Sequence, residues 1–278
     1  MALFNDDYVN RTKVFENHPT YTFIKSDIEY FSEFVWQLSD LISWNGHIIT
    51  FPIHDKLFLM QNEILDSVVN TINSIKYLLK FGHLSDVNVL IRKIRDDLFL
   101  FLYLIEVCNR STLGNTTTHE LNAKNWMENK LSDLKIKKIL YFLQENEVLK
   151  SVINKYNLRS KWEAIGKNLN NFVHGNGIIY YQLNFSFFDQ NTIDKVLKDL
   201  GYKLNYIISV FIVLLILVKP MLIMSSDYVD ALEVGLDPEP DSQYKVAPFV
   251  QKFIDEHIIK LHPELKSFLK NNVYMHIE

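Results

Sequence analysis

DVNVLIRKIRDDLFLFLYLIEV, residues 86–107, sets the class of fold before any other segment is read. Asn88, Arg92, Arg95 and Asp96 recur at i, i+4, i+7 and i+8, which makes one narrow polar stripe on a helix. From Leu98 to Ile105 the stripe vanishes and every position is apolar. A helix that is apolar all round is buried all round, so the segment predicts a central helix in an all-α bundle. Burial also makes a demand on the arginines, because a guanidinium taken from water requires a partner. Two readings meet that demand. One is an internal ion pair of Arg92 or Arg95 with Asp96 or Asp97. The other is a place beside a functional pocket, where a planar, always-charged group suits a phosphate.

Working outward, KLFLMQNEILDSVVNTINSIKYLLKF, residues 56–81, reads as a long amphipathic helix closed by Gly82 in a left-handed cap, with Ser85 or Asp86 opening the next. The short link makes the two helices an antiparallel pair. SDIEYFSEFVWQLSDLISW, residues 26–44, predicts a helix capped by Ser26 or Asp27, with Tyr30, Phe31, Phe34, Trp36 and Trp44 in the core. On the other side, residues 109–118 are turn-like, and helices are expected around 120–130, 132–144, 146–155 and 160–174. IIYYQLNFSFF, residues 178–188, predicts a short hairpin or extended strand from its β-branched and aromatic content. A long helix follows from Asn191 or Thr192, then a Pro- and Asp-rich connection over 227–248, a helix FVQKFIDEHIIKL and a short piece after Pro263. The expected organisation is an N-terminal helical extension (1–54), a bundle (55–225) and a C-terminal linker with helices packed on it (226–278).

Composition narrows function by exclusion. The 278 residues are 48% hydrophobic and 22% charged with only 8 Gly and 7 Pro, an ordered helical balance. The net charge of −4 offers no global attraction to phosphate backbones, so contact with nucleic acid requires a local basic patch. Cys108 is the single cysteine and lies in an apolar run, where a small buried hydrophobe is expected. His54, His83, His119, His257 and His262 show no His-Glu-x-x-His or other paired ligand spacing, so neither a metal nor another cofactor is expected. There is no Gly-rich phosphate loop and no Gly-x-Ser-x-Gly elbow. YIISVFIVLLILVKPMLIM, residues 206–224, is apolar for 13 residues before Lys219-Pro220 interrupts it. A span takes about 20 such residues. A buried central helix in a cytoplasmic protein is therefore expected. The alternative is a membrane helix whose N-terminal side is held in the cytoplasm by Lys195, Lys198 and Lys203.

SKWEAIGKNLNNFVH, residues 160–174, followed by Gly175-Asn176-Gly177, is the other helix that could carry chemistry, its polar stripe reading otherwise as a solvated face. At 100° per residue Glu163, Lys167, Asn170, Asn171 and His174 share one arc, and Trp162, Ile165, Leu169, Phe172 and Val173 take the opposite one. Gly175 and Gly177 suit a helix end with positive φ. Tandem long helices followed by a helix with a basic residue, a polar residue and then His resemble HEPN domains, the bundles of bacterial toxins, abortive-infection proteins and CRISPR-associated ribonucleases. Their pattern is Arg, four to six residues, then His. Here Lys167-Asn168 is followed by five residues and then His174-Gly175, and LIRKIRDDLFLFLYL is similar to their second helix, over residues 55–225 in all.

The resemblance implies metal-independent RNA cleavage in a site composed across a homodimer. His174 would act as general acid or base, and an imidazole is suited to proton transfer near neutral pH. Lys167 with Arg92 or Arg95 would stabilise charge on the phosphorane. Asn168, Asn170 or Asn171 would orient the histidine or phosphate, with Asp96 and Glu163 in support. The motif departs from the family in having no Arg five, six or seven positions before His174, where Leu169, Asn168 and Lys167 stand, and a lysine lacks the bidentate geometry. An inactive member acting through protein contacts, as an antitoxin, scaffold or sensing subunit of a defence or toxin–antitoxin system, is the second expectation.

Overall fold

A computed structural model describes residues 13–44, 49–53, 56–60, 62–112, 116–130, 134–184 and 189–278, with backbone alone for 44, 49–53 and 56–60. His54 and residues 185–188 of the expected hairpin lie outside the described residues. The chain is an all-α bundle. It divides into two compact units, each assembled from separated segments: Met1–Val35, Ser67–Arg95 and Arg159–Ile208 in the first, Trp36–Asp66, Asp96–Leu158 and Ser209–Glu278 in the second.

Helix α1, Pro19–Trp44, starts at a proline whose fixed φ suits a first helical position, several residues before the expected Ser26 or Asp27 cap. Its buried stripe is Ile24, Ile28, Phe31, Val35, Leu38 and Ile42, spaced alternately by four and three. Trp36, expected in the core, is exposed because it falls off that stripe. The expected helix from residue 56 is a correction: Ile49–Ile53 (β1) and Lys56–Met60 (β2) pair antiparallel, Ile49 opposite Met60, and helix α2 occupies only Glu63–Lys80. At its end Gly82 takes φ 69°, with Gly82 N–H donating to Leu79 and His83 N–H to Leu78, a Schellman turn at the glycine expected to supply it.

Helix α3, Leu84–Arg110, is the predicted central helix, and its apolar half from Leu98 is buried apart from half-buried Leu100. Cys108 is half-buried, not fully inside. In the second unit α4 (Thr118–Met127) starts with a reciprocal Thr117–Glu120 capping box, and α5 (Ile136–Leu143) and α6 (Glu147–Lys155) follow. Buried Glu106 accepts from Arg110 Nε at 2.8 Å and Asn146 Nδ2 at 3.2 Å, and the Arg110 guanidinium stacks on Phe142 at 4.3 Å. A charge at that depth is tolerated because its lone pairs are used.

Helix α7, Leu158–His174, is the motif helix. The strand expected at 178 is a second correction: Ile178–Gln182 is a five-residue helix, α8. Helix α9, Gln190–Val218, is capped by Asp189, which accepts from the Thr192 N–H at 3.0 Å. Gly201 lets α1 approach closely, since a Cβ there would stand 2.5 Å from the tip of Ile24. Asn109 Nδ2 bonds the Val218 carbonyl at 2.8 Å, closing α9 before Pro220. After α10 (Asp227–Glu233) come α11 (Pro248–Phe253), a π turn over Ile254–Ile258, α12 (Ile259–Leu261) and α13 (Leu265–Asn272); the single helix expected over 249–261 is thus interrupted by the π turn.

Candidate functional site

Leu158, Trp162, Ile165 and Leu169 form the buried stripe of α7, while Lys161, Glu163, Lys167, Asn168 and His174 are exposed. The two arcs expected from the helical period are therefore both present. They fray at the C-terminus, where Val173 is exposed and Phe172 only half-buried, a correction to their expected core placement. The last turn of a helix overhangs whatever it packs on, so its apolar arc loses cover.

The turn after His174 is held from several sides. Gly175 adopts φ 58°, and the Asn176 N–H donates to the Asn171 carbonyl at 3.0 Å, the long bond of a Schellman turn. The Asn171 amide bonds the Tyr180 hydroxyl at 3.0 Å and receives Asn176 Nδ2 at 3.1 Å. The Tyr180 ring meets Phe172 edge-on at 4.8 Å. From α8 the anchoring passes to α3: the Ser85 hydroxyl donates to the Tyr180 carbonyl, and the Ser85 N–H donates to Asn184 Oδ1 at 2.8 Å. Asn184 thereby caps the start of α3 and completes itself on Asp86 at 3.1 Å.

Beneath Phe172 lies a buried cation that sequence reasoning missed. Lys203 of α9 is 3% exposed, its ammonium 2.5 Å from Asp199, 3.0 Å from Asn88 Oδ1 and 5.6 Å from the Phe172 ring centroid. Burial pushes the lysine below its ordinary pKa, and Asp199 opposes that. Asn88, first member of the polar stripe on α3, is thus committed to Lys203 and, through its amide, to the Leu84 carbonyl at 2.8 Å.

Arg95 lies away from His174. Arg95 is 5% exposed, with its guanidinium 5.9 Å from the Trp162 ring centroid. It lies so close to α7 at Gly166 that a Cβ on that glycine would overlap it. It therefore occupies the buried side of α7, and Gly166 is eight residues from His174, about 12 Å along the axis. Arg92 and Asp96 are half-buried on α3. Glu163 is paired with Arg159 at 2.7 Å on the exposed face. Asn170 is half-buried, its side-chain oxygen enclosed without a hydrogen-bond partner among the described residues.

The structure thus brings Asn171 to the His174 turn and leaves Lys167, Asn168 and His174 on the open face. His174 makes no hydrogen bond or ion pair among the described residues, so both ring nitrogens are available for proton transfer or for a partner. No cluster of three or more His, Cys, Asp or Glu suited to a metal ion occurs among the described residues. No protein-family model, no curated protein and no solved structure matches the chain.

Proposed function

We propose that this chain is a HEPN-like protein of a bacterial defence or toxin–antitoxin type system that cleaves RNA without a metal, with His174 as general acid or base in a site completed by a second copy. The supporting observation is the placement of His174: solvent-facing at the end of α7, on a turn pinned by Asn171, Tyr180 and Ser85, with exposed Val173, Ile178 and Ile179 beside it. Ile178 is 70% exposed. Neighbouring exposed apolar side chains with polar groups at their edge are the pattern of a surface that a partner covers.

A second copy also answers the charge problem. Arg95 is committed to the buried side of α7, and Lys167 stands seven residues from His174, roughly 10 Å along the helix. A second copy would add basic groups to Lys167 and Arg92 around a phosphate held by His174. His174→Ala should abolish cleavage of tRNA or total RNA and relieve toxicity in host cells. Undiminished cleavage by that variant overturns the assignment.

The same exposed apolar residues favour a second reading, a noncatalytic scaffold, antitoxin or sensing subunit. Ile179→Asp separates the two when read beside His174→Ala. In the scaffold reading only the isoleucine variant loses function; in the catalytic reading both do. A cytoplasmic location is part of the same proposal; what supports it is that 83% of the most apolar window of α9 is buried within the chain.

A further inference from the structure

At a net charge of −4, a nucleic acid has to be met by a local basic surface. One lies in the first unit, between the N-terminal half of α1 and the C-terminal half of α2. It is a groove of about 410 Å³ whose charged lining is Lys25, Lys76 and Lys80 against Glu16 alone. Lys76 and Lys80 stand one turn apart on α2, and between them Tyr77 projects into solvent, 68% exposed. An isolated surface tyrosine calls for no explanation, but an open aromatic face set among three lysines in a concave surface is the arrangement on which an unpaired base stacks while phosphates meet cations.

The acids nearby, Glu29 and Glu16, offset two of the three lysines and leave an excess of one positive charge. Lys76 pairs with Glu29 at 2.5 Å and Lys80 with Glu16 at 3.3 Å, all four side chains being well exposed. Exposed pairs of this kind contribute little in water and exchange readily for a phosphate, while holding the lysines extended at the rim of the groove.

The groove also stands at the His174 end of its unit. Helix α2 ends at Lys80, passes through the Gly82 turn and enters α3, whose Ser85 bonds the Tyr180 carbonyl. The Tyr180 hydroxyl holds Asn171, one turn before His174. The start of α1 joins the same end, through Thr20 to Asp194 at 2.5 Å and His18 to the Gln190 carbonyl at 3.2 Å.

We propose that this groove docks single-stranded RNA, with Lys25, Lys76 and Lys80 on backbone phosphates and Tyr77 stacked on a base. The inference rests on the RNA-directed reading above and names its substrate as unpaired RNA, since a base already stacked in a duplex offers Tyr77 no face.

The test is fluorescence anisotropy of the full chain with a labelled, unstructured oligoribonucleotide and with a duplex of the same sequence. It is run in the His174→Ala background so that the RNA is not consumed. Lys25→Ala with Lys80→Ala should weaken single-strand binding at least tenfold, and should reduce the slope of log affinity against log salt by about 1.4, two phosphates at 0.7 each. Tyr77→Ala should weaken it about tenfold and narrow the preference for single strand over duplex, with Tyr77→Phe retaining both affinity and preference. These residues are surface-lying, so unchanged circular dichroism and melting midpoints should accompany the losses. Binding that is equal in all variants overturns the groove and leaves the RNA reading standing. Absence of binding by the parent overturns the groove, and the separate His174 cleavage assay then decides the reading. Reduced self-association in sedimentation, with RNA affinity intact, makes the groove a protein interface and overturns the proposal.

Discussion

A single methyl group at residue 175 probes how the motif turn is held. Gly175 sits at φ 58°, and a Cβ there would fall on the Tyr181 hydroxyl. Gly235 sits at φ 71° with nothing near its missing Cβ. Left-handed backbone costs an L-residue about 1–2 kcal/mol, so Gly235→Ala should lower unfolding free energy by about that amount. Gly175→Ala should cost more, because Tyr181 has to move as well. Denaturant unfolding of both variants reads the difference, and equal losses would show that Tyr181 yields freely. At this scale the helical period made much of the site legible: it separated Trp162, Ile165 and Leu169 from Lys167 and His174. It did not show that Lys203 is buried, because the lysine's cover comes from Asn88 on α3 and Phe172 on α7, far away in sequence. For the same reason the helical period does not show that Arg95 lies against Trp162 and Gly166 of α7.

Among the elements, the long helices were legible because their stripes repeat many times, and the Gly82 turn because only glycine enters that conformation without cost. Short apolar runs carried too few periods. Lys56–Met60 continues the apolar pattern of α2 in sequence, although it is a strand. Ile178–Gln182 has strand-forming residues but forms a helical turn, because Ser85 and Asn171 fix Tyr180 at both its carbonyl and its hydroxyl. The π turn was likewise invisible, since its sequence is ordinary. It carries a pH-dependent element. Burial pushes the His257 imidazole down to about 4, with Lys260 and Lys252 acting in the same direction and Glu256 against them, and the ring stacks on Phe253 at 4.8 Å. Between an unfolded value near 6.5 and the folded value, the unfolded chain binds a proton that the folded chain refuses. Stability contributed by the neutral ring is therefore complete above about pH 6.5 and is lost as pH falls toward 4. The expected loss is about 2 kcal/mol, discounted for the part of the ring that water reaches. His119 is lowered by burial too and adds with the same sign. Thermal midpoints of His257→Gln should be flatter than those of the parent across this window. Identical slopes would assign the acid sensitivity elsewhere.

For the whole molecule, the open question of scale is what covers α9. The helix is long and apolar enough to cross a membrane by length and composition. Yet its apolar run from Tyr206 to Val218 is 13 residues, and Lys203 lies buried just before it on Asp199 and Asn88. Within the run Ser209 is fully covered, Phe211 packs on Phe101 at 6.2 Å, and Val213 has no exposed surface. Lipid would have to contact side chains that the chain itself already encloses, which favours reading α9 as a core helix. Alkaline carbonate treatment of a membrane fraction should therefore release the protein to the supernatant. Retention in the pellet would overturn the core assignment. Val213→Asp supplies an independent measure. In a protein core it buries a carboxylate with no partner, one of the few single changes expected to cost more than about 4 kcal/mol, and should leave the chain unfolded or aggregated. If Val213→Asp instead stays folded and leaves the melting midpoint unchanged, the enclosure of α9 is not what holds the bundle together.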